Sequence, residues 1–124
     1  MKFYEVTSTV KNQDELLSEY KSAREIGVLR IGENCLFFRK SRKVYYIPYA
    51  DVRRCFRRVL LVPAKLCCGT GQLPVESIVF YGDEGEVAQI QLPGTRAAKG
   101  AFEELKQRIP GADFTCPPAQ PKED

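Results

Sequence analysis

Cys67 and Cys68 stand side by side in a glycine-bearing stretch, with Lys65 two positions before them. A neighbouring cation favours the thiolate, the form of cysteine that attacks electrophiles. The chain has no His, so a cysteine–histidine nucleophile has no base, and no Cys-x-x-Cys redox spacing occurs. Structural zinc wants four ligands at separated positions, and adjacent cysteines without histidine do not supply them. Cys67 and Cys68 are the candidate reactive thiols, with an incidental pair as the competing reading. Asp83, Glu84 and Glu86 bring carboxylates together, but at a predicted hairpin tip rather than in the water-poor cleft that general acid–base chemistry needs. Gly69-Thr70-Gly71 is too short to cradle phosphate and opens no helix. No catalytic residue, cofactor site or metal site is assigned, and a non-enzymatic protein is expected.

Binding chemistry is better represented. The net charge is only +3, yet residues 39–58 carry eight basic side chains and one acidic. The candidate anion- or partner-binding residues are Arg39, Lys40, Arg42, Lys43, Arg53, Arg54, Arg57 and Arg58. Clustered guanidinium and ammonium groups neutralise phosphate, and arginine can grip it with two parallel hydrogen bonds. Phe37, Phe38, Tyr45 and Tyr46 interleave with these cations and could stack on bases if they faced outward, although a strand Phe is more often core. The competing reading of the whole stretch is a solvated, solubilising hairpin.

Composition narrows the class. A length of 124 residues fits one domain, and no apolar run approaches the ~20 residues of a membrane helix. Met1 to Val10 lacks a basic start followed by an apolar stretch, so no secretory leader is expected there. A cytoplasmic, reducing setting follows for the five irregularly spaced cysteines. Cys35 and Cys55 lie in apolar runs and are read as small core residues.

The elements that must position these residues are legible to different degrees. Residues 3–10 predict a strand. Asn12 followed by Glu15 predicts a capped helix over 13–25, closed by Gly27. Strands are predicted at 28–31, 35–39 and 44–47, with a turn at Gly32-Glu33-Asn34 made by residues that tolerate positive φ and a polar tip at 40–43. Residues 50–62 fit either a short cationic helix or a strand, and periodicity does not arbitrate. Residues 63–74 read as a loop, 75–81 and 86–92 as a hairpin, and 95–109 as a helix capped by Thr95. Residues 112–124 read as a mobile tail.

The order of these elements resembles the pleckstrin-homology-like superfamily, particularly its small bacterial domains. Cys35-Leu36-Phe37-Phe38-Arg39 is similar to an early strand. Ile47-Pro48-Tyr49-Ala50-Asp51-Val52 is similar to the link into the next strand. Phe80 through Ile109 is similar to the terminal hairpin and helix. The resemblance implies a strand rather than a helix over 53–62. It also implies an α+β domain: a bent antiparallel sheet or partly open barrel capped by a C-terminal helix. On this reading residues 1–27 are an added strand and helix, 28–111 the PH-like domain and 112–124 the tail. The implied function is protein contact or self-association. Anionic lipid binding through Arg39–Lys43 is the alternative; the residues themselves leave a thiol enzyme resting on Cys67 and Cys68 as the third reading, and nucleic acid is not an expected partner.

Overall fold

The computed structural model describes residues 1–66 and 69–115. The elements run β1 (Phe3–Glu5), α1 (Gln13–Ser22), β2 (Arg24–Ile26), β3 (Leu29–Ile31), β4 (Cys35–Lys40), β5 (Lys43–Pro48), a 3-10 turn (Tyr49–Asp51), β6 (Arg54–Leu66), β7 (Gly69–Gly82), β8 (Gly85–Leu92) and α2 (Thr95–Arg108). They form two sheets, a five-stranded one in the order β1-β5-β4-β3-β2 and a three-stranded one in the order β6-β7-β8.

The five-stranded sheet is covered on both faces, which explains why β4 begins with an unbroken apolar run. Cys35, Phe37, Val44 and Tyr46 point toward α1 and pack with Phe3, Leu16 and Tyr20. Leu36, Phe38 and Ile47 point the other way and meet Ile78, Phe80 and Ile90 of the second sheet, with Ala98, Ala101 and Leu105 of α2. Phe37, Tyr46, Phe80 and Leu105 are fully buried. Each such side chain contributes about 1.5–3 kcal/mol through removal from water.

Helix α1 starts where the Asn12 side chain accepts from the Asp14 and Glu15 amides. It ends at Ser22 rather than continuing to residue 25, because Arg24–Ile26 pair with Leu29–Ile31 as β2 and β3. Gly27, with φ of 62°, serves the turn of that hairpin and not a helix terminus. Residues 6–11 do not extend β1. Beyond the Val6 amide, which donates to the Tyr46 carbonyl, their backbone is held by a side chain, with the Lys11 amide donating to the Tyr46 hydroxyl and that hydroxyl donating to the Thr9 carbonyl.

Gly32 is required for space rather than for positive φ. A Cβ there would lie 2.6 Å from Glu19 Oε2 and 2.8 Å from the Cys35 carbonyl oxygen. Glu19 reaches this turn to accept from the Asn34 and Cys35 amides, and the Tyr49 hydroxyl donates to the Gly32 carbonyl at 2.6 Å. Burial of that Tyr49 hydroxyl pushes its pKa well above the ordinary tyrosine value.

The α+β class and the helix near each end agree with expectation. The single antiparallel sheet does not. Among the described residues there are two sheets and no closed barrel, and β1 lies parallel to β5, with Phe3 opposite Val44 and Tyr4 opposite Tyr45. Residues 54–66 are a strand and not a cationic helix. The expected loop at 63–74 is instead the far end of a long β6–β7 ribbon, paired from Arg54–Tyr81 to Leu66–Gly69. A ribbon strand has one ladder only, so a proline such as Pro63 or Pro74 is tolerated where its nitrogen faces away from that ladder. Thr95 is not the cap of α2. Gly94 holds that position with φ of 117°, and the Thr95 hydroxyl donates to Glu76. Of the expected tail, residues 116–124 lie outside the described residues.

Candidate functional site

The eight candidate cations separate into two groups with different electrostatics. The β6 group is neutralised within the fold. Arg53 Nε lies 2.7 Å from Asp83, Arg54 is 2.9 Å from Asp113 and Arg57 is 3.0 Å from Glu76. Arg58 donates to Gln89 at 2.8 Å and stands 3.5 Å from Glu86. These pairs tie the edge strand β6 to β7, to β8 and to the segment at Asp113. Asp83 and Glu86 are thereby engaged as partners of arginine rather than gathered in a cleft.

The second group, Arg39, Lys40, Arg42 and Lys43, is exposed and makes no ion pair among the described residues. It occupies the β4–β5 tip, whose two turn residues Ser41 and Arg42 have φ of 52° and 67°. This left-handed pair suits the twist of a two-residue hairpin, but Asn-Gly is the economical sequence for it. A left-handed arginine costs roughly 1–2 kcal/mol relative to right-handed backbone.

Two residues absent from the sequence-based candidates join this tip. Parallel pairing of β1 with β5 sets Tyr4 beside Tyr45, their ring centroids 5.9 Å apart. Lys2 Nζ then lies 5.3 Å and Lys43 Nζ 5.0 Å from the centroid of the Tyr4 ring. Lys2, Tyr4, Arg39, Arg42 and Lys43 line a surface depression of about 560 Å3, together with Met1 and Val44. No local pattern announces this, because the contact joins residues some forty positions apart through a parallel pairing.

A second concavity of about 550 Å3 lies between the tip and β8, bordered by Phe38, Lys40, Tyr45, Val87, Gln89 and Gln91 among others. Phe38 and Tyr45 stack at 5.5 Å on its floor. Neither concavity is lined by a carboxylate or a thiol. The aromatics that interleave with the cations are largely interior, as is commoner for strand Phe, since Phe37 and Tyr46 are fully buried and Phe38 is 8% exposed.

The cysteines divide in the same way. Cys35 and Cys55 are buried free thiols. Burial, aided by Glu19, pushes Cys35 up to about 11, and burial pushes Cys55 up to about 12. Both are held as unreactive thiols. Cys67 and Cys68 lie outside the described residues. Gly69-Thr70-Gly71 belongs to strand β7. Among the described residues no three His, Cys, Asp or Glu side chains converge as a metal site, and no helix is long and apolar enough to cross a membrane. No family model, curated protein or solved structure matches the chain.

Proposed function

We propose that the chain is a non-enzymatic interaction module of the pleckstrin-homology-like kind, acting through protein contact, with a second copy of itself as the partner. The kind is supported by chain order. The antiparallel run β2–β5 is followed by the meander β6–β8 and then by the closing helix α2.

One observation carries the contact. Strand β8 pairs with β7 only over Glu76–Gly82, so among the described residues the far half of the β6–β7 ribbon has no third strand. Val59, Leu60 and Leu61, consecutive on β6 at the root of this ribbon, are 51%, 44% and 61% exposed. Consecutive strand residues point to opposite faces, so both faces of the ribbon present apolar surface. A two-stranded ribbon is marginal in water on its own. The outer edge of β6 meets only Asp113, at its first two residues, among the described residues. Beyond Cys55 its backbone groups are a template for another strand. Antiparallel pairing of two β6 edges would close a two-fold dimer and cover the apolar residues at once.

Sedimentation velocity across a range of concentrations tests this. A dimer that grows with concentration, and is lost in Leu61→Lys with an unchanged circular dichroism spectrum, is expected. A wild-type monomer at every concentration contradicts it.

A second reading, recognition of anionic lipid through Arg39–Lys43, is supported by the unpaired charges of the tip. The thiol-enzyme reading draws no support from any described residue.

A further inference from the structure

We propose that the depression beside the β4–β5 tip is a site for a phosphate monoester, built by Arg39, Arg42 and Lys43 and completed by Lys2 and Tyr4 of the N-terminal strand. The proposal rests on the anion-binding reading and deepens it by naming the full residue set and the ligand chemistry.

Charge is the first support. Four cations line one depression, and none of them has an ion-pair partner among the described residues. The β6 arginines of the same molecule each find an acceptor, and Lys11, Lys21, Arg96 and Lys99, which also lack an ion pair among the described residues, do not line this depression; what sets the four apart is that they gather in one place. Lys2 and Lys43 approach the same Tyr4 ring, which places their ammonium groups no more than about 10 Å apart. That is within about one Debye length at moderate salt, so their repulsion is only partly screened and an anion bound nearby relieves it. A phosphate monoester carries about two negative charges at neutral pH and three acceptor oxygens. Two guanidinium forks and two ammonium groups match that demand.

Backbone conformation is the second support. The tip places Arg42 in left-handed backbone, where glycine would be cheaper. Local stability is surrendered at a charged residue that no partner in the fold uses, and such strain gathers at binding sites.

Shape separates this ligand from nucleic acid. A polynucleotide needs a basic track with free aromatic faces. Here the cations line one depression, two ammonium groups stand 5.3 and 5.0 Å from the Tyr4 ring centroid, and Phe37 and Tyr46 are buried. The phosphate could belong to a lipid headgroup or to a soluble molecule. Met1, 73% exposed, lines the same depression and supplies an apolar contact at its rim.

Flotation with phosphatidylcholine vesicles containing phosphatidic acid, and calorimetry with soluble inositol hexakisphosphate, separate the two sources. Phosphatidylserine vesicles of matched surface charge are the control for diffuse attraction. Binding in either arm that weakens with salt, exceeds the phosphatidylserine control, and falls about tenfold or more in both Lys2→Glu and Arg42→Gly supports the proposal. Arg42→Gly should lose binding while its melting temperature rises, which a purely structural role would not produce. Arg53→Gln, a change to a paired arginine, should bind like wild type. Loss in Arg42→Gly but not in Lys2→Glu would leave the tip as an anion site and overturn the completed site. Equal binding to phosphatidylserine would overturn the phosphate monoester site and leave only diffuse attraction to anionic lipid; no binding in either arm, or indifference to both substitutions, would overturn both.

Discussion

The carboxylate of Glu76 on β7 and the guanidinium of Arg57 on β6 lie 3.0 Å apart, diagonally across the ladder. The second Glu76 oxygen takes the Thr95 hydroxyl at 2.8 Å. One buried acid, 4% exposed, thereby joins both strands of the ribbon to the first turn of α2. Its partner is less complete, since Arg57 Nε is buried without an acceptor. Removing Glu76 takes the acceptor from Arg57 Nη2 as well. Glu76→Leu should cost about 2–4 kcal/mol in stability, read by urea unfolding.

The same contact sets a pH dependence. Burial raises the Glu76 carboxyl, while the Thr95 hydroxyl and Arg57 pull it down further, leaving it below its ordinary 4.5. A folded-state pKa below the unfolded one gives stability that is whole above 4.5 and drains away as pH falls through the folded value. The Thr115 hydroxyl and backbone and the Arg54 guanidinium hold Asp113 low with the same sign. The wild-type melting temperature should therefore fall below pH 4.5 more steeply than that of Glu76→Gln. Parallel curves would contradict this role.

Arg42→Gly should stabilise the chain by about 0.5–1 kcal/mol. Relief of left-handed backbone outweighs the extra freedom glycine brings to the unfolded chain. Thermal unfolding checks this independently of any ligand, and a lowered midpoint would mean that the Arg42 side chain carries structure instead.

Cys35 and Cys55 are inaccessible and their thiols are raised by burial to about 11 and about 12. Titration with a thiol reagent at neutral pH should leave both unmodified in the native protein. It should count all five cysteines in denaturant. Labelling of Cys35 or Cys55 without denaturant would contradict the packing.

Short-range chemistry was readable in the sequence. The Asn12 cap, the strands around Phe37 and Phe80, the Asp83-Glu84 turn and the Ala98, Ala101, Leu105 stripe of α2 follow from local rules of capping and periodicity. Long-range competition was not. Ile26 fits the end of a helix by spacing, yet pairing with Leu29 wins. Pro63 and Pro74 read as loop boundaries, because nothing local tells a ribbon with one ladder from a sheet interior. The site divides likewise. Arg39–Lys43 announces itself by charge, whereas the neutralisation of Arg53–Arg58 depends on carboxylates placed by strand register. Lys2 and Tyr4 enter only through the β1–β5 pairing.

The claim that β6 edges pair between copies has a direct reading in amide hydrogen exchange, followed by mass spectrometry at low and high protein concentration. Pairing occupies outward backbone groups of β6 beyond Cys55. Exchange over residues 59–61 should slow at high concentration in wild type and stay fast in Leu61→Lys. Fast exchange there at every concentration, with the β7 core around Val79 protected throughout, would contradict the dimer.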